Sequence, residues 1–358
     1  MSGMLHKPGD TIADRYLVSV YVGEGGMQEV YSAQDTLLGK YVALKGPKNA
    51  SASKRFHRSA IVSARVNHAN VAKTLDYIEE NGRSYLIEEL IDGCDLRVML
   101  TKYVPKFDPY IVSRILHHLA KGIAASHHAG VIHRDLKPSN VMAVGGPALN
   151  GLKITDFGIA KMAEKELEEA VEGGEGSLTA SATAIGALPY MAPEMIESMK
   201  AAGKPADIWS LSAMMFELLT GERPFGAGLK AIPKILACDI RAIPPQLTGH
   251  PQFKSAASEL LTILNACLVL DPGKRLTADA VVTACEELCY SVGPREFGTV
   301  SYFDNGYWGF IQPPKGDNVF FHRNSIYGGD KVKLGDRYWY AKHQGGQADR
   351  AFPLVKAR

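Results

Sequence analysis

The sequence predicts an α+β chain in three parts: a small strand-rich lobe over residues 14–91, a larger helical lobe over 92–290, and a small all-β module over 297–358. Three observations carry this. β-Branched and aromatic runs at 16–22, 29–34, 41–45, 71–78 and 85–90 are punctuated by glycine or Asn-Gly. Beyond Gly93 the apolar residues take helical spacing. After residues 291–296, which read as a linker, short strands return around the tight-turn signal Asp304-Asn305-Gly306. A length of 358 residues suits two domains or one large domain plus a module, and residues 1–13 read as an N-terminal tail.

A helical stretch at 53–66 interrupts the first strands. Asp108-Pro109 opens a helix as N-cap and first-turn proline, and Ile111, Ile115, Leu119 and Ile123 mark its buried stripe. Residues 207–220 form another helix, stopped by Gly221. Residues 161–176 hold six Glu and two Lys and end in glycines, which reads as an acidic insertion. The pairs His117-His118 and His127-His128 are too far apart at helical rise to form one metal site, and read as surface residues.

The formal charge of +2 is unevenly spread. From Phe297 onward nine Lys/Arg face five Asp and no Glu, so a basic module follows a mildly acidic body and suits a polyanionic partner. The five cysteines (Cys94, Cys238, Cys267, Cys285, Cys289) lack zinc-ribbon spacing and read as reduced core thiols of a cytoplasmic protein. No apolar run reaches membrane-spanning length, so a soluble chain with no membrane partner is expected.

The chemistry concentrates in His133-Arg134-Asp135-Leu136-Lys137-Pro138-Ser139-Asn140, followed by Asp156-Phe157-Gly158. Asp135 suits orienting or deprotonating a hydroxyl, Lys137 neutralising a transferred phosphate, and Asn140 and Asp156 holding a metal through oxygen. Upstream, Val22-Gly23-Glu24-Gly25-Gly26 lies between two strands, where Gly23 and Gly25 let backbone amides approach phosphates. Val42-Ala43-Leu44-Lys45 follows at a distance that sets an ammonium on the α- and β-phosphates.

With these motifs in order over about 14–290, the chain resembles the eukaryotic-type protein kinases of bacteria, and Lys137-Pro138-Ser139-Asn140 resembles their Ser/Thr branch. The resemblance implies a bilobal kinase fold that uses ATP with Mg2+ or Mn2+. It implies that Val30, Ala43 and Met142 enclose adenine, that the Glu89–Ile91 backbone forms the hinge, and that Asp95 reaches the ribose. It also implies that Asp207 supports the catalytic loop and that Glu194 of Ala192-Pro193-Glu194 pairs with Arg275. Arg134 before Asp135 implies switching by phosphate on a nearby loop, with Ser177, Thr179, Ser181 and Thr183 as candidate sites.

Several family positions differ. Gln28 stands for the third glycine of the phosphate loop, Ser63 for a leucine and Ala187 for a threonine of the substrate-docking loop. Ser59 takes the place of the helix glutamate that holds the strand lysine, and residues 51–70 contain no carboxylate. Glu88 at the back of the pocket is the candidate replacement partner for Lys45, the alternative being that Glu88 turns to another polar group.

In the last part, Tyr307-Trp308-Gly309-Phe310-Ile311 and Asn318-Val319-Phe320-Phe321-His322-Arg323 resemble the paired motifs of cold-shock domains, five-stranded OB-type barrels. Strand alternation sets Trp308, Phe310, Phe320 and His322 on one face with Tyr302 beside them, and Arg323 stands where the family stacks an aromatic. Single-stranded RNA or DNA is the implied partner, with protein docking as the alternative. A further expectation is that this module docks on acidic residues 164–175 until a polyanion displaces it. The sequence therefore points to a Ser/Thr protein kinase acting on protein hydroxyls, autophosphorylating, with a nucleic-acid reader. The alternative is a weakly active pseudokinase scaffold that binds RNA or a protein.

Overall fold

A computed structural model describes residues 4–24, 28–48, 60–157, 186–198, 202–329 and 331–358. The first lobe is an antiparallel sheet of β1 (Thr11–Ile12), β2 (Tyr16–Glu24), β3 (Gln28–Asp35), β4 (Lys40–Pro47), β5 (Thr74–Glu80) and β6 (Arg83–Glu89), in the order β1-β2-β3-β4-β6-β5. The expected run 71–78 starts as strand only at Thr74, because Val71 instead bridges to Ile154 in the second lobe. Of the expected helix 53–66, residues 60–63 are helical and 49–59 lie outside the described residues.

Within the expected tail, residues 4–13 are described and pack on the first lobe. Thr11 and Ile12 pair with β2, and the segment before them lies over the sheet's outer face. Glu29 accepts the Leu5 amide at 3.0 Å, Tyr31 Oη accepts the His6 amide, and His6 Nε2 meets Tyr85 Oη at 3.1 Å. Buried phenols and a buried carboxylate need such partners, and the chain's first residues supply them. Burial lowers the His6 pKa.

The second lobe is built on α1 (Pro109–His128), α2 (Lys204–Thr220), α3 (Lys254–Cys267) and α4 (Ala278–Glu286). Asp108 caps α1 by accepting the Ile111 amide, and Gly221 ends α2 at φ +81°, where an added Cβ would lie 2.9 Å from Pro105 O. Between the lobes runs a small sheet of β7 (Gly93–Asp95), β8 (Val141–Val144) and β9 (Gly151–Ile154). His117 and His127 are buried, against the surface expectation; His127 extends the Ile115, Leu119, Ile123 stripe by one more turn. All five cysteines are free, but only Cys267 and Cys285 are buried and Cys289 is exposed, which corrects the uniform core reading.

The last part is a closed barrel of β10 (Glu296–Asp304), β11 (Trp308–Gln312), β12 (Val319–His322), β14 (Arg337–His343) and β15 (Arg350–Lys356), with β13 (Ile326–Tyr327) on β15. Pairing of β12 with β15 closes it. The barrel shares its packing with the helical lobe: Tyr327 and Val355 join the core of α1, α2 and α3. Phe352 stacks on Phe253, Tyr327 Oη donates to Leu219 O at 2.8 Å, and Arg358 reaches Tyr103 O and Leu100 O.

The expected linker is part of this junction. Arg114 donates to Gly293 O, and Arg295 is buried beside Asp108 at 3.4 Å. Residues 164–175 lie outside the described residues, and the barrel's described contacts are with the helical lobe. Among the described residues no helix is long and apolar enough to cross a membrane.

Candidate active site

Strand alternation builds the upper wall. Val30 pairs with Lys45, Ala43 with Glu88, and Lys45 with Leu86, so Gln28, Val30, Ala43, Lys45 and Glu88 share the inner face. Glu88 is the diagonal neighbour of Lys45, within reach of two long side chains. Lys45 Nζ lies 2.7 Å from Glu88 Oε2 and 2.8 Å from Asp156 Oδ1, with Lys45 and Glu88 buried. Burial alone would lower the lysine's pKa, but Asp156 and then Glu88 outweigh it and keep the ammonium protonated. Glu88 is shifted upward by burial, which exceeds the pull of Lys45. Burial also pushes Asp156 upward, but Lys45 and the Gln28 hydrogen bond win and hold it below the usual carboxylate range. One cation thus holds two carboxylates whose pKa values are driven in opposite directions.

The catalytic loop hangs from Asp207, which is fully buried. Its carboxylate accepts the His133 and Arg134 amides at 2.9 and 2.8 Å and His127 Nε2 at 2.9 Å. His133 Nε2 donates to Thr155 O, which leaves Nδ1 to accept the Asp135 amide. Lys137 Nζ donates to both Asp135 oxygens, and Asn140 Nδ2 donates to Asp135 O and Oδ2. The Thr155 amide returns to Asn140 O, tying the loop to the strand that carries Asp156. Asp135, Lys137, Asn140 and Asp156 therefore stand on one connected frame.

The remaining pocket residues fall around this frame. Gly23 pairs with Val30 and Val22 is exposed on β2, while Gly25 lies outside the described residues. Asp95 pairs with Met142 across β7 and β8; its carboxylate caps the turn at Val98, and burial raises its pKa. The Glu89 amide donates to Lys73 O and its carboxylate accepts from Lys153. Ser63 Oγ donates to Phe157 O at 3.3 Å, joining the helical turn at 60–63 to the residue after Asp156. Glu194 and Arg275 form a bidentate pair at 2.6 and 2.8 Å beside Trp209. The candidate phosphorylation sites Ser177, Thr179, Ser181 and Thr183 lie outside the described residues.

On the barrel, β11 and β12 pair Trp308 with His322 and Phe310 with Phe320, and Tyr302 opposes Phe310 across β10. Trp308 and Phe320 lie 6.1 Å apart and nearly parallel, Tyr302 and Trp308 5.4 Å apart, and all remain partly open to solvent. Arg323 is exposed at the end of this face. The residues that dock on the helical lobe, Tyr327 and Phe352, are different ones.

A profile of the protein kinase domain matches residues 16–285. The chain belongs to the protein kinase family. Among its relatives, the kinase is 36% identical to "Probable serine/threonine-protein kinase PknB" of Corynebacterium glutamicum, over 60% of this chain and 32% of that protein. It is 31% identical to the probable PknB of Lactococcus lactis, over 71% of this chain and 39% of the other. The chain thus spans about a third of the length of the relatives it matches. In fold, the kinase is similar to the crystal structure of a cysteine-to-alanine mutant of the Mycobacterium tuberculosis PknI kinase domain, at a TM-score of 0.56 and 24% identity, covering 79% of this chain and 99% of that one. Sequence reasoning about this kinase missed His127 and Arg295. The first was legible from its place on the stripe; the second carried no signal.

Proposed function

We propose that this chain is a Ser/Thr protein kinase that transfers the γ-phosphoryl group of ATP to protein hydroxyls. The observation that carries this reading is the joined frame of Asp135, Lys137, Asn140 and Asp156, with Lys45 held between Glu88 and Asp156. Asp135 orients the acceptor hydroxyl and takes its proton, while Lys137 and Lys45 place positive charge on the phosphates. The carboxylate of Asp156 and the amide oxygen of Asn140 are hard oxygen donors, suited to Mg2+ or Mn2+, and these two residues would hold the metal. When bound, that metal neutralises charge across the phosphates.

The Ser/Thr choice is supported by Lys137-Pro138-Ser139-Asn140 and by the names of the relatives. Arg134 Nε is buried and has no partner among the described residues, which suits a phosphate arriving from the segment that holds Ser177, Thr179, Ser181 and Thr183. Asp135→Asn is expected to reduce autophosphorylation from labelled ATP by about 10²–10⁴-fold. Equal phosphate incorporation by the two proteins would end this reading.

The barrel's open aromatic face favours a second activity beside the first, the binding of single-stranded RNA or DNA. Tyr302, Trp308, Phe310 and Phe320 offer a stacking platform, with His322 and the exposed Arg323 next to it. In the full chain, Trp308→Ala is expected to weaken binding of a labelled oligonucleotide by about 1–3 kcal/mol. Binding should also fall steeply with salt. An affinity that ignores both the substitution and the salt would reject nucleic acid and leave protein docking for this face.

A further inference from the structure

Gln28 does more than fill the place of a glycine. Its side chain is 7% exposed and lies on the inner face, two residues before Val30. Nε2 donates to Asp156 Oδ1 at 2.9 Å, and Lys45 Nζ donates to the same oxygen at 2.8 Å. Among the described residues, every hydrogen bond to this carboxylate falls on Oδ1. Two donors on one oxygen fix the carboxylate's rotation, in a side chain that is 23% exposed, and leave Oδ2 with no hydrogen bond from the described residues.

The other end of the amide is unsatisfied. Gln28 Oε1 is buried and has no hydrogen-bond partner among the described residues. A buried acceptor in that state has lost its water and gained no bond in return. Flipping the amide gives no relief, because it would set Oε1 against the ionised carboxylate. An acceptor-only oxygen beside an ionised carboxylate suits a cation or the water of a cation, and repels an anion.

We propose that Gln28 belongs to the divalent-cation site of this chain. Its N–H pins the metal-binding carboxylate of Asp156, and its Oε1 is offered to Mg2+, Mn2+ or a water bound to the metal. The proposal rests on the kinase reading for the presence of a metal-nucleotide, and deepens it by adding a ligand-side residue from the phosphate loop.

The test is Mn2+ binding to the full chain in the presence of a non-hydrolysable ATP analogue, followed by calorimetry or by the loss of the free Mn2+ resonance signal. Gln28→Ala is expected to weaken Mn2+ binding about 10–100-fold, the range for residues that support a metal ligand. Affinity for the analogue without metal should stay unchanged. Gln28→Asn, one methylene shorter, should lose Mn2+ binding in the same way. Thermal unfolding of each variant reports that it is folded. Mn2+ binding by Gln28→Ala as tight as the wild type or tighter would overturn the proposal, since the amide would then be blocking the site. So would an equal loss of metal-free nucleotide binding, which marks a purely structural role. A failure of the kinase reading looks different: Mn2+ and nucleotide would bind with this dependence on Gln28, yet no phosphate would be transferred.

Discussion

Glu88→Gln is expected to cut kcat/KM for phosphoryl transfer by about 10²-fold, near 2.7 kcal/mol of transition-state stabilisation, without destabilising the fold. Lys45 is shared between Glu88 and Asp156 at 2.7 and 2.8 Å. Removing the charge of Glu88 leaves the lysine to Asp156 alone. The ammonium then moves off the back wall of the pocket and competes with the metal for that carboxylate.

The stability effect follows from burial. Glu88 has a raised pKa in the folded chain, mainly because it is buried. Stability linked to such a group is fully present below its unfolded pKa and is lost as pH rises through the folded one. Glutamine removes that loss, so Glu88→Gln should unfold at the same temperature as the wild type or higher once pH exceeds the usual carboxylate range. Asp156 has the opposite sign. Its depressed pKa gives stability that is present above the unfolded value and lost as pH falls through the folded one. Kinetics and thermal unfolding across pH separate the two effects. Undiminished turnover in Glu88→Gln would mean that Glu88 is not the working counter-ion of Lys45.

Arg295→Met should lower the stability of the whole chain by about 3–5 kcal/mol, as expected when one partner of a buried ion pair is removed. Asp108 and Arg295 are both buried, 3.4 Å apart, and Asp108 also caps α1. Burial pushes Asp108 upward and Arg295 downward in pKa, so each is held in place at the expense of its charged form. Arg295 has a second bond, to Trp339 O in the barrel at 2.9 Å. The double variant Arg295→Met with Asp108→Ser keeps a capping oxygen and leaves no buried charge, and should recover most of the loss. Denaturant unfolding measures both. A change near zero in the single variant would show that the junction carries little of the stability.

The sequence made the chemistry legible because it lies in contiguous residues: the loop from His133 to Asn140 and the step from Asp156 to Phe157. The replacement partner Glu88 was readable through the resemblance, which sets that position at the back of the pocket near Lys45, and strand alternation puts both on one face. Gln28 shares that face, but alternation gives direction and not reach. Nothing local says that its amide crosses to the other lobe. His127 sat on a readable stripe and was obscured by its pairing with the exposed His128. Arg295 lay in a segment with the composition of a loop, and its partner is far away in sequence. A contact of that kind leaves no trace in periodicity or turn chemistry. The placement of Leu5 and His6 left no signal for the same reason, since Tyr31 and Tyr85 reveal their need for partners only once the sheet is formed.

The shared packing of Tyr327, Phe352 and Val355 with the helical lobe has a mechanical consequence. Three units can be drawn along the sequence, but the junction at Arg295 and Arg358 removes the slack that a tether would give. Shared packing and these bonds set the barrel against the helical lobe. On the proposed function, a molecule bound by the barrel would be held at one bearing to the lobe that carries Asp135, with no search volume set by a linker. On that reading, which substrates lie within range depends on the bound molecule's own length.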